Sequence, residues 1–168
     1  SRDHLDYHGS MEAYAAAKAR LFHWPGLKYA VLNLDDALGV ELSEQLTGGN
    51  NDTQLIGYGF QESGIRHQVS GKFAVVRGSN LQVSAQGLAF DVEFKTQQAK
   101  FKTGLVGRFN ASNLLAVLAT LLASGVKLAD AVQALQQVQP VAGRMEQLGG
   151  GEQPLVVVDY AHTPDALE

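Results

Sequence analysis

A mainly apolar run over residues 29–34, in which Asn33 is the one polar residue, restricts the fold of this chain more than any other feature. A run without alternation is typical of a strand that is buried on both faces, as in a parallel sheet. Asp35 and Asp36 then begin a predicted helix to about Leu46. A polar turn and a second strand over about 54–58 follow. This strand–helix–strand order predicts an α/β crossover unit.

The apolar spacing changes to every second position over residues 72–105. Such alternation predicts short antiparallel strands, with turns at Gly78-Ser79-Asn80 and Gln86-Gly87. We therefore expect an α/β fold of three layers, with a mainly parallel sheet, flanking helices and an antiparallel β insert between Lys72 and Leu105.

Three further helices and one hairpin complete the predicted fold. The helices are expected over residues 11–22, 110–124 and 128–138. The glycines Gly149-Gly150-Gly151 predict a hairpin turn that leads into a buried strand over 155–159. A linker is the alternative interpretation of the triple glycine.

Composition excludes several classes of function. The chain has 168 residues, 45% hydrophobic side chains and a formal net charge of -4. The apolar content argues against disorder, and the acidic balance provides no basic field for nucleic acid or an anionic membrane. No apolar run approaches the ~20 residues that span a bilayer. The absence of cysteine excludes disulfides, thiol catalysis and thiolate metal sites, and it fits a cytoplasmic protein.

Lys18 is the most informative anomaly. At helical spacing it falls between Met11, Ala15 and Phe22, in an apolar stripe where an unpaired ammonium is costly. One interpretation is that its long stem extends to the surface. The other is that the apolar surroundings lower its proton affinity, so that the free amine can be used chemically.

Polar clusters before the predicted helices are the next candidates. The string Asp3-His4-Leu5-Asp6-Tyr7-His8 offers imidazoles and carboxylates to a divalent cation, or it is an ordinary polar loop. Asn110 is a candidate N-cap, and Asn113 lies three residues further on the same side. Their amides could instead bind the edge of a nucleobase.

Two polar strings lie around the last predicted strand. Gly143-Arg144-Met145-Glu146 precedes it, and a string from Asp159 to Asp165 follows its three valines. The carboxyl end of a buried strand is where open α/β sheets bind ligands, although Thr163 or Asp165 could simply cap a next helix. No phosphate-binding loop of the G-x-x-x-x-G-K-[ST] type occurs in the sequence.

Taken together, these strings resemble the Mur ligase family along the whole chain, with residues 54–100 the least distinctive. Within the family they are nearest to the member that adds the third residue of the peptide. The strings are Ser1-Arg2-Asp3-His4-Leu5-Asp6-Tyr7-His8-Gly9, Ala16-Ala17-Lys18, Asn33-Leu34-Asp35-Asp36, Gly107-Arg108-Phe109-Asn110-Ala111-Ser112-Asn113, Gly143-Arg144-Met145-Glu146 and Asp159-Tyr160-Ala161-His162-Thr163-Pro164-Asp165.

The resemblance implies an ATP-dependent carboxylate–amine ligase of peptidoglycan synthesis. In that family ATP phosphorylates the carboxylate of UDP-MurNAc-L-Ala-D-Glu, and the amine of a diamino acid, meso-diaminopimelate or L-lysine, attacks the acyl phosphate. It also implies roles for single residues. Lys18 would be carbamylated, Lys18 and His4 would bind Mg2+, and ATP would be faced by Asn110, Asn113, Arg144, Asp159 and His162.

The resemblance further implies a division into two parts. Residues 1–140 would be a truncated central ATP-binding-type domain without its phosphate-binding loop, and 141–168 the start of the C-terminal ligase domain. We expect the segment alone to be inactive, and its exposed sheet edge to favour self-association. The alternatives are the central domain of a cyanophycin or folylpolyglutamate synthetase, or a non-catalytic scaffold.

Overall fold

The computed structural model describes residues 10–48, 52–60 and 71–162. Within these ranges the chain forms four α-helices and seven β-strands. The helices are α1 (Met11–Phe22), α2 (Ala37–Gly48), α3 (Arg108–Ala123) and α4 (Leu128–Leu135). The strands are β1 (Tyr29–Asn33), β2 (Gln54–Gly59), β3 (Phe73–Ser84), β4 (Gly87–Phe94), β5 (Gln97–Thr103), β6 (Glu146–Gly149) and β7 (Leu155–Val158).

The first five strands form one mixed sheet in the order β1-β2-β3-β4-β5. The β1–β2 and β2–β3 pairs are parallel, whereas β3–β4 and β4–β5 are antiparallel. The α/β fold class with flanking helices is therefore confirmed. The antiparallel strands extend the parallel part of the sheet rather than forming a separate layer. Strand β1 lies at one edge, and self-association through that edge stays a prediction.

The predicted turn at Gly78-Ser79-Asn80 is wrong. Strand β3 continues through these residues, and its register with β4 shifts between Ser79 and Gln82. Asn80 takes a left-handed conformation with φ of 53°, and its Nδ2 donates to Asp91 Oδ2 on β4 at 2.7 Å. A β-bulge uses the same turn-forming residues without reversing the chain, which explains the error. The turn predicted at Gln86-Gly87 is confirmed.

Two aspartates connect β1 to its neighbours in different ways. Asp36 caps α2, because its Oδ1 accepts the N–H groups of Leu38 at 3.0 Å and Gly39 at 3.4 Å. Asp35 lies before the helix rather than beginning it, and its carboxylate accepts the Phe60 N–H at 2.8 Å and 3.1 Å. Helix α2 therefore begins later than predicted, and Asp35 ties the end of β1 to the end of β2.

Apolar residues fill both faces of the sheet. On one face, Ala30 and Leu32 pack with residues of α2, and Phe22 of α1 packs at the margin. On the other face, Ile56 and Val76 pack with α3 and α4. Helices thus cover the parallel strands on both sides, which confirms three layers and explains the absence of alternation in the β1 sequence.

The chain divides into two compact units. One comprises Ala19–Val138, and the described residues of the other are 10–18 and 139–162. In the second unit β6 and β7 form an antiparallel hairpin, as predicted from the triple glycine. The predicted division at residues 140 and 141 stays a prediction.

The expectation that the valine-rich strand is buried is wrong. All four residues of β7 are exposed, with relative accessibilities of 40% to 51%. Among the described residues, the hairpin forms a two-stranded sheet of its own, and a sheet of this size buries little side-chain surface. None of the described helices is long and apolar enough to cross a membrane.

Replacing Leu115 on α3 tests the core beneath the sheet. Leu115 is 0% exposed, so we expect Leu115→Ala to lower the free energy of unfolding by about 2–5 kcal/mol, through lost burial and the cavity left behind. Val117 on the same helix is 46% exposed, so Val117→Ala is the matched control, with an expected loss below about 1 kcal/mol. Urea unfolding followed by circular dichroism measures both, and equal losses would contradict this packing.

Candidate functional site

The β6–β7 hairpin brings the two polar strings near the end of the chain together. Glu146 pairs with Val158, so residues just before β6 lie beside residues just after β7. The Asp159 carboxylate accepts the Met145 N–H through Oδ2 at 2.8 Å and the Ala161 N–H through Oδ1 at 2.7 Å. The Tyr160 N–H donates to the Gly143 carbonyl at 2.8 Å. Strings that are well separated in sequence therefore form one cluster.

Side chains of this cluster stack around Tyr160. The Arg144 guanidinium carbon lies 5.4 Å from the centroid of the Tyr160 ring, within cation–π distance. The His162 ring packs edge-on against the same ring at 5.4 Å, and its Nδ1 lies 3.0 Å from the Tyr160 carbonyl oxygen. Tyr160 is 68% exposed, so the cluster faces solvent and is accessible to a ligand.

Three of the predicted site residues, Arg144, Asp159 and His162, are thus brought together. Sequence reasoning assigned no role to Tyr160, although its position between Asp159 and His162 was an available signal. A guanidinium and an imidazole that contact the same ring offer several N–H donors to an anionic group such as a phosphate.

The turn that carries Arg144 has an unusual backbone. Gly143 has φ of 70° and Met145 has φ of 50°, so Arg144 lies between two residues in the left-handed region. The Gly143 N–H donates to Glu146 Oε2 at 2.9 Å. Hydrogen bonds to Asp159 and Tyr160 also hold the backbone on the two sides of Arg144.

Asn110 and Asn113 lie at the start of α3 and contact each other. The predicted N-cap at Asn110 is wrong, because Gly107 with φ of 89° is the cap and Asn110 lies in the first helical turn. The Asn110 Nδ2 donates to the Val106 carbonyl at 2.8 Å, and the Asn113 Nδ2 lies 3.4 Å from Asn110 Oδ1. Asn110 is therefore engaged in holding the turn, while Asn113 is the exposed amide of the pair.

Of the two interpretations of Lys18, the structure agrees with the one in which the side chain extends to the surface. Helix α1 has no buried residue, and Ala15, Ala19 and Phe22 form its half-buried stripe, so Lys18 lies beside the stripe and is exposed. Its Nζ lies 4.4 Å from the centroid of the Tyr14 ring. Alanines bury too little surface to draw the helix deep into a core.

The predicted magnesium ligands are not assembled by the described part of the chain. His4 lies outside the described residues. Within the described ranges, no group of three or more histidine and acidic side chains is arranged to hold a metal ion. A lysine amine becomes an oxygen ligand only after carbamylation, so Lys18 as it stands does not supply a magnesium site.

The carboxyl edge of the parallel strands carries a second polar group. Tyr58 is half-buried near the end of β2, and burial raises the pKa of its phenol above the ordinary value. The carboxylates of Asp35 and Asp36 raise this pKa further. Sequence analysis singled out the two aspartates but missed Tyr58. The strand pattern does not show that the pairing of β1 with β2 brings Asp35 and Asp36 near the Tyr58 phenol.

Residues 1–121 match the family model described as Mur ligase middle domain. Because this match includes more than half of the chain, the chain belongs to the Mur ligase middle-domain family. It is similar to the UDP-N-acetylmuramoyl-L-alanyl-D-glutamate–2,6-diaminopimelate ligase of Nitrosomonas europaea, with 61% identity over 167 residues, which are 99% of this chain and 32% of the relative.

Solved structures show the same relationship. A structure of a ligase with the same name has a TM-score of 0.76 and 35% identity, and the match covers 99% of this chain and 32% of that one. MurF from Acinetobacter baumannii has a TM-score of 0.79 at 21% identity, with 99% and 34% of the two chains covered, which shows a shared fold. The chain spans about a third of the length of these proteins.

Titration of Tyr58 tests the electrostatics at the strand ends. A raised phenol pKa means that the folded state favours the neutral form. The contribution of neutral Tyr58 to the free energy of unfolding is therefore complete below a pH of about 10, the pKa of an ordinary tyrosine. That contribution is lost as the pH rises through the higher pKa of the folded state. We expect ultraviolet absorbance to show a phenol that ionises later than an ordinary tyrosine and that is absent from Tyr58→Phe. A late component that survives in Tyr58→Phe would contradict this assignment.

Proposed function

We propose that the chain is the middle segment of an ATP-dependent ligase that joins 2,6-diaminopimelate to UDP-MurNAc-L-Ala-D-Glu. The observation that carries the proposal is 61% identity, over 99% of this chain, to a relative with that name. The relatives' names favour diaminopimelate over L-lysine as the amino acid. The nucleotide substrates also support a cytoplasmic location for the complete enzyme.

The chemistry would proceed through an acyl phosphate. The D-Glu carboxylate takes the terminal phosphoryl group of ATP and releases ADP. The amine of diaminopimelate then attacks the acyl carbon, the tetrahedral intermediate expels phosphate, and loss of a proton from nitrogen leaves the amide. Phosphoryl transfer of this kind depends chiefly on positioning and on neutralising charge.

Two groups of side chains would contribute to nucleotide binding. Arg144 and His162 would supply N–H donors to phosphate oxygens. The arginine packs against the Tyr160 ring, and Asp159 holds the backbone of the same cluster. Asn113, the exposed amide of its pair, would donate to and accept from the edge of adenine, with Asn110 behind it. Both assignments rest on motif positions together with the exposure of these groups.

Lys18 would act as a carbamate, with His4 as its partner at a magnesium ion. When bound, the ion would neutralise phosphate charge. The exposure of the amine supports access by carbon dioxide. The described residues do not themselves assemble a magnesium site.

Substitution of Lys18 tests the carbamate. In the full-length ligase that carries this chain, we expect Lys18→Ala to reduce phosphate release by about 100-fold, a loss typical of positions that support a metal. Lys18→Glu should recover only a little, because its carboxylate is shorter. Arg20→Ala on the same helix is the matched control, and intact mass spectrometry should detect added carbon dioxide only when Lys18 is present. Wild-type rates in Lys18→Ala would contradict the assignment.

Isothermal titration with Mg-ATP tests whether this chain binds the nucleotide without the rest of the enzyme. The sequence contains no phosphate-binding loop, so the backbone N–H groups that hold the phosphates of a nucleotide must come from elsewhere. We expect the 168-residue chain to bind ATP weakly or not at all. Micromolar affinity would contradict this expectation and would mean that residues of this chain suffice for binding.

A further inference from the structure

We propose that Asp159 is a positioning residue whose carboxylate fixes the Met145 turn and thereby directs Arg144. The inference rests on the proposed function, because Arg144 matters only if it faces a nucleotide. It differs from a direct role of Asp159 in nucleotide binding, since the group that Asp159 holds is the protein's own backbone.

Both carboxylate oxygens of Asp159 are engaged on the two sides of the hairpin. Oδ2 accepts the N–H of Met145 at 2.8 Å, and Oδ1 accepts that of Ala161 at 2.7 Å. Such short bonds to an ionised acceptor are stronger than neutral ones. One side chain thus joins the residue after Arg144 to the residue before His162.

The bond to Met145 holds a conformation that methionine disfavours. A residue with a Cβ and φ of 50° is crowded against its own backbone, and glycine is the residue that adopts this region freely. Nothing in the methionine side chain favours φ of 50°. The Asp159 carboxylate supplies the compensating interaction within the hairpin.

The turn formed by Gly143, Arg144 and Met145 then determines where the Arg144 side chain lies. Gly143 on its other side is also left-handed, and the Gly143 carbonyl accepts the Tyr160 N–H at 2.8 Å. The arginine is thus fixed at both neighbouring residues, and its guanidinium lies over the Tyr160 ring. Relaxation of Met145 to an ordinary conformation would rotate the backbone at Arg144 and move the guanidinium away from the ring.

Two substitutions separate positioning from direct contact. In the full-length ligase, we expect Asp159→Ala to raise KM for ATP by about tenfold or more, since small misplacements of binding groups have effects of this size. Met145→Gly removes the Cβ that disfavours the turn, so the double variant Asp159→Ala with Met145→Gly should recover much of that loss. If Asp159 bound the nucleotide directly, removing the Met145 side chain would restore nothing.

The control is Glu152→Ala, which removes a carboxylate from the exposed turn of the same hairpin. We expect it to leave KM for ATP within about twofold of wild type. Asp159→Asn is a milder second variant: its amide keeps one oxygen acceptor, so its KM should lie between those of wild type and Asp159→Ala.

Amide hydrogen exchange in the 168-residue chain gives a readout that does not depend on catalysis. We expect Met145 and Ala161 to be protected in wild type and in Glu152→Ala, and to exchange faster in Asp159→Ala. Unchanged protection in Asp159→Ala, or no recovery of KM in the double variant, overturns the positioning role. If protection changes as expected but the full-length protein makes no amide bond, the carboxylate's hold on the turn stands and the proposed function fails.

Discussion

Parallel pairing of β2 with β1 on one side and β3 on the other is the constraint on which the sheet depends. Neighbouring residues of β2, Leu55 and Ile56, are 3% and 6% exposed and belong to apolar clusters on opposite faces. A strand buried on both faces requires cover on both, and α2 and α3 supply it. The connection from β1 into α2 is stabilised by Asp36, which caps α2, and by Asp35, which joins the end of β1 to the end of β2.

The hairpin at the end of the described chain is held differently. Its strands are exposed, so its conformation depends on hydrogen bonds rather than on burial. The centre of that network is formed by Asp159, Gly143 and Met145. The side chains of Arg144 and His162 pack against the aromatic ring of Tyr160. Side chains held this way stay accessible to a ligand, which a packed core would prevent.

The errors of sequence reasoning have a common physical cause. Gly78, Ser79 and Asn80 suit a turn and a β-bulge equally, and the pairing of β3 with β4 determines which one forms. The apolar stripe on α1 shows which residues can be buried, but Ala19 and Phe22 are the ones that reach the core, and Lys18 remains outside. The valines of β7 favour a strand, and a strand forms. Whether that strand is buried depends on whether another layer of structure covers it, which strand propensity does not show.

Local patterns in the sequence determined the types of the elements, their order and the motifs that place the chain among the Mur ligases. These properties depend on residues that are close along the chain, through periodicity, turn chemistry and short strings. Only the tertiary structure decided that Asp159 holds Met145 and that the Asp35 carboxylate accepts the Phe60 N–H. Backbone conformation and neighbouring elements select those partners from several that the sequence allows, so the contacts appear only once the chain has folded.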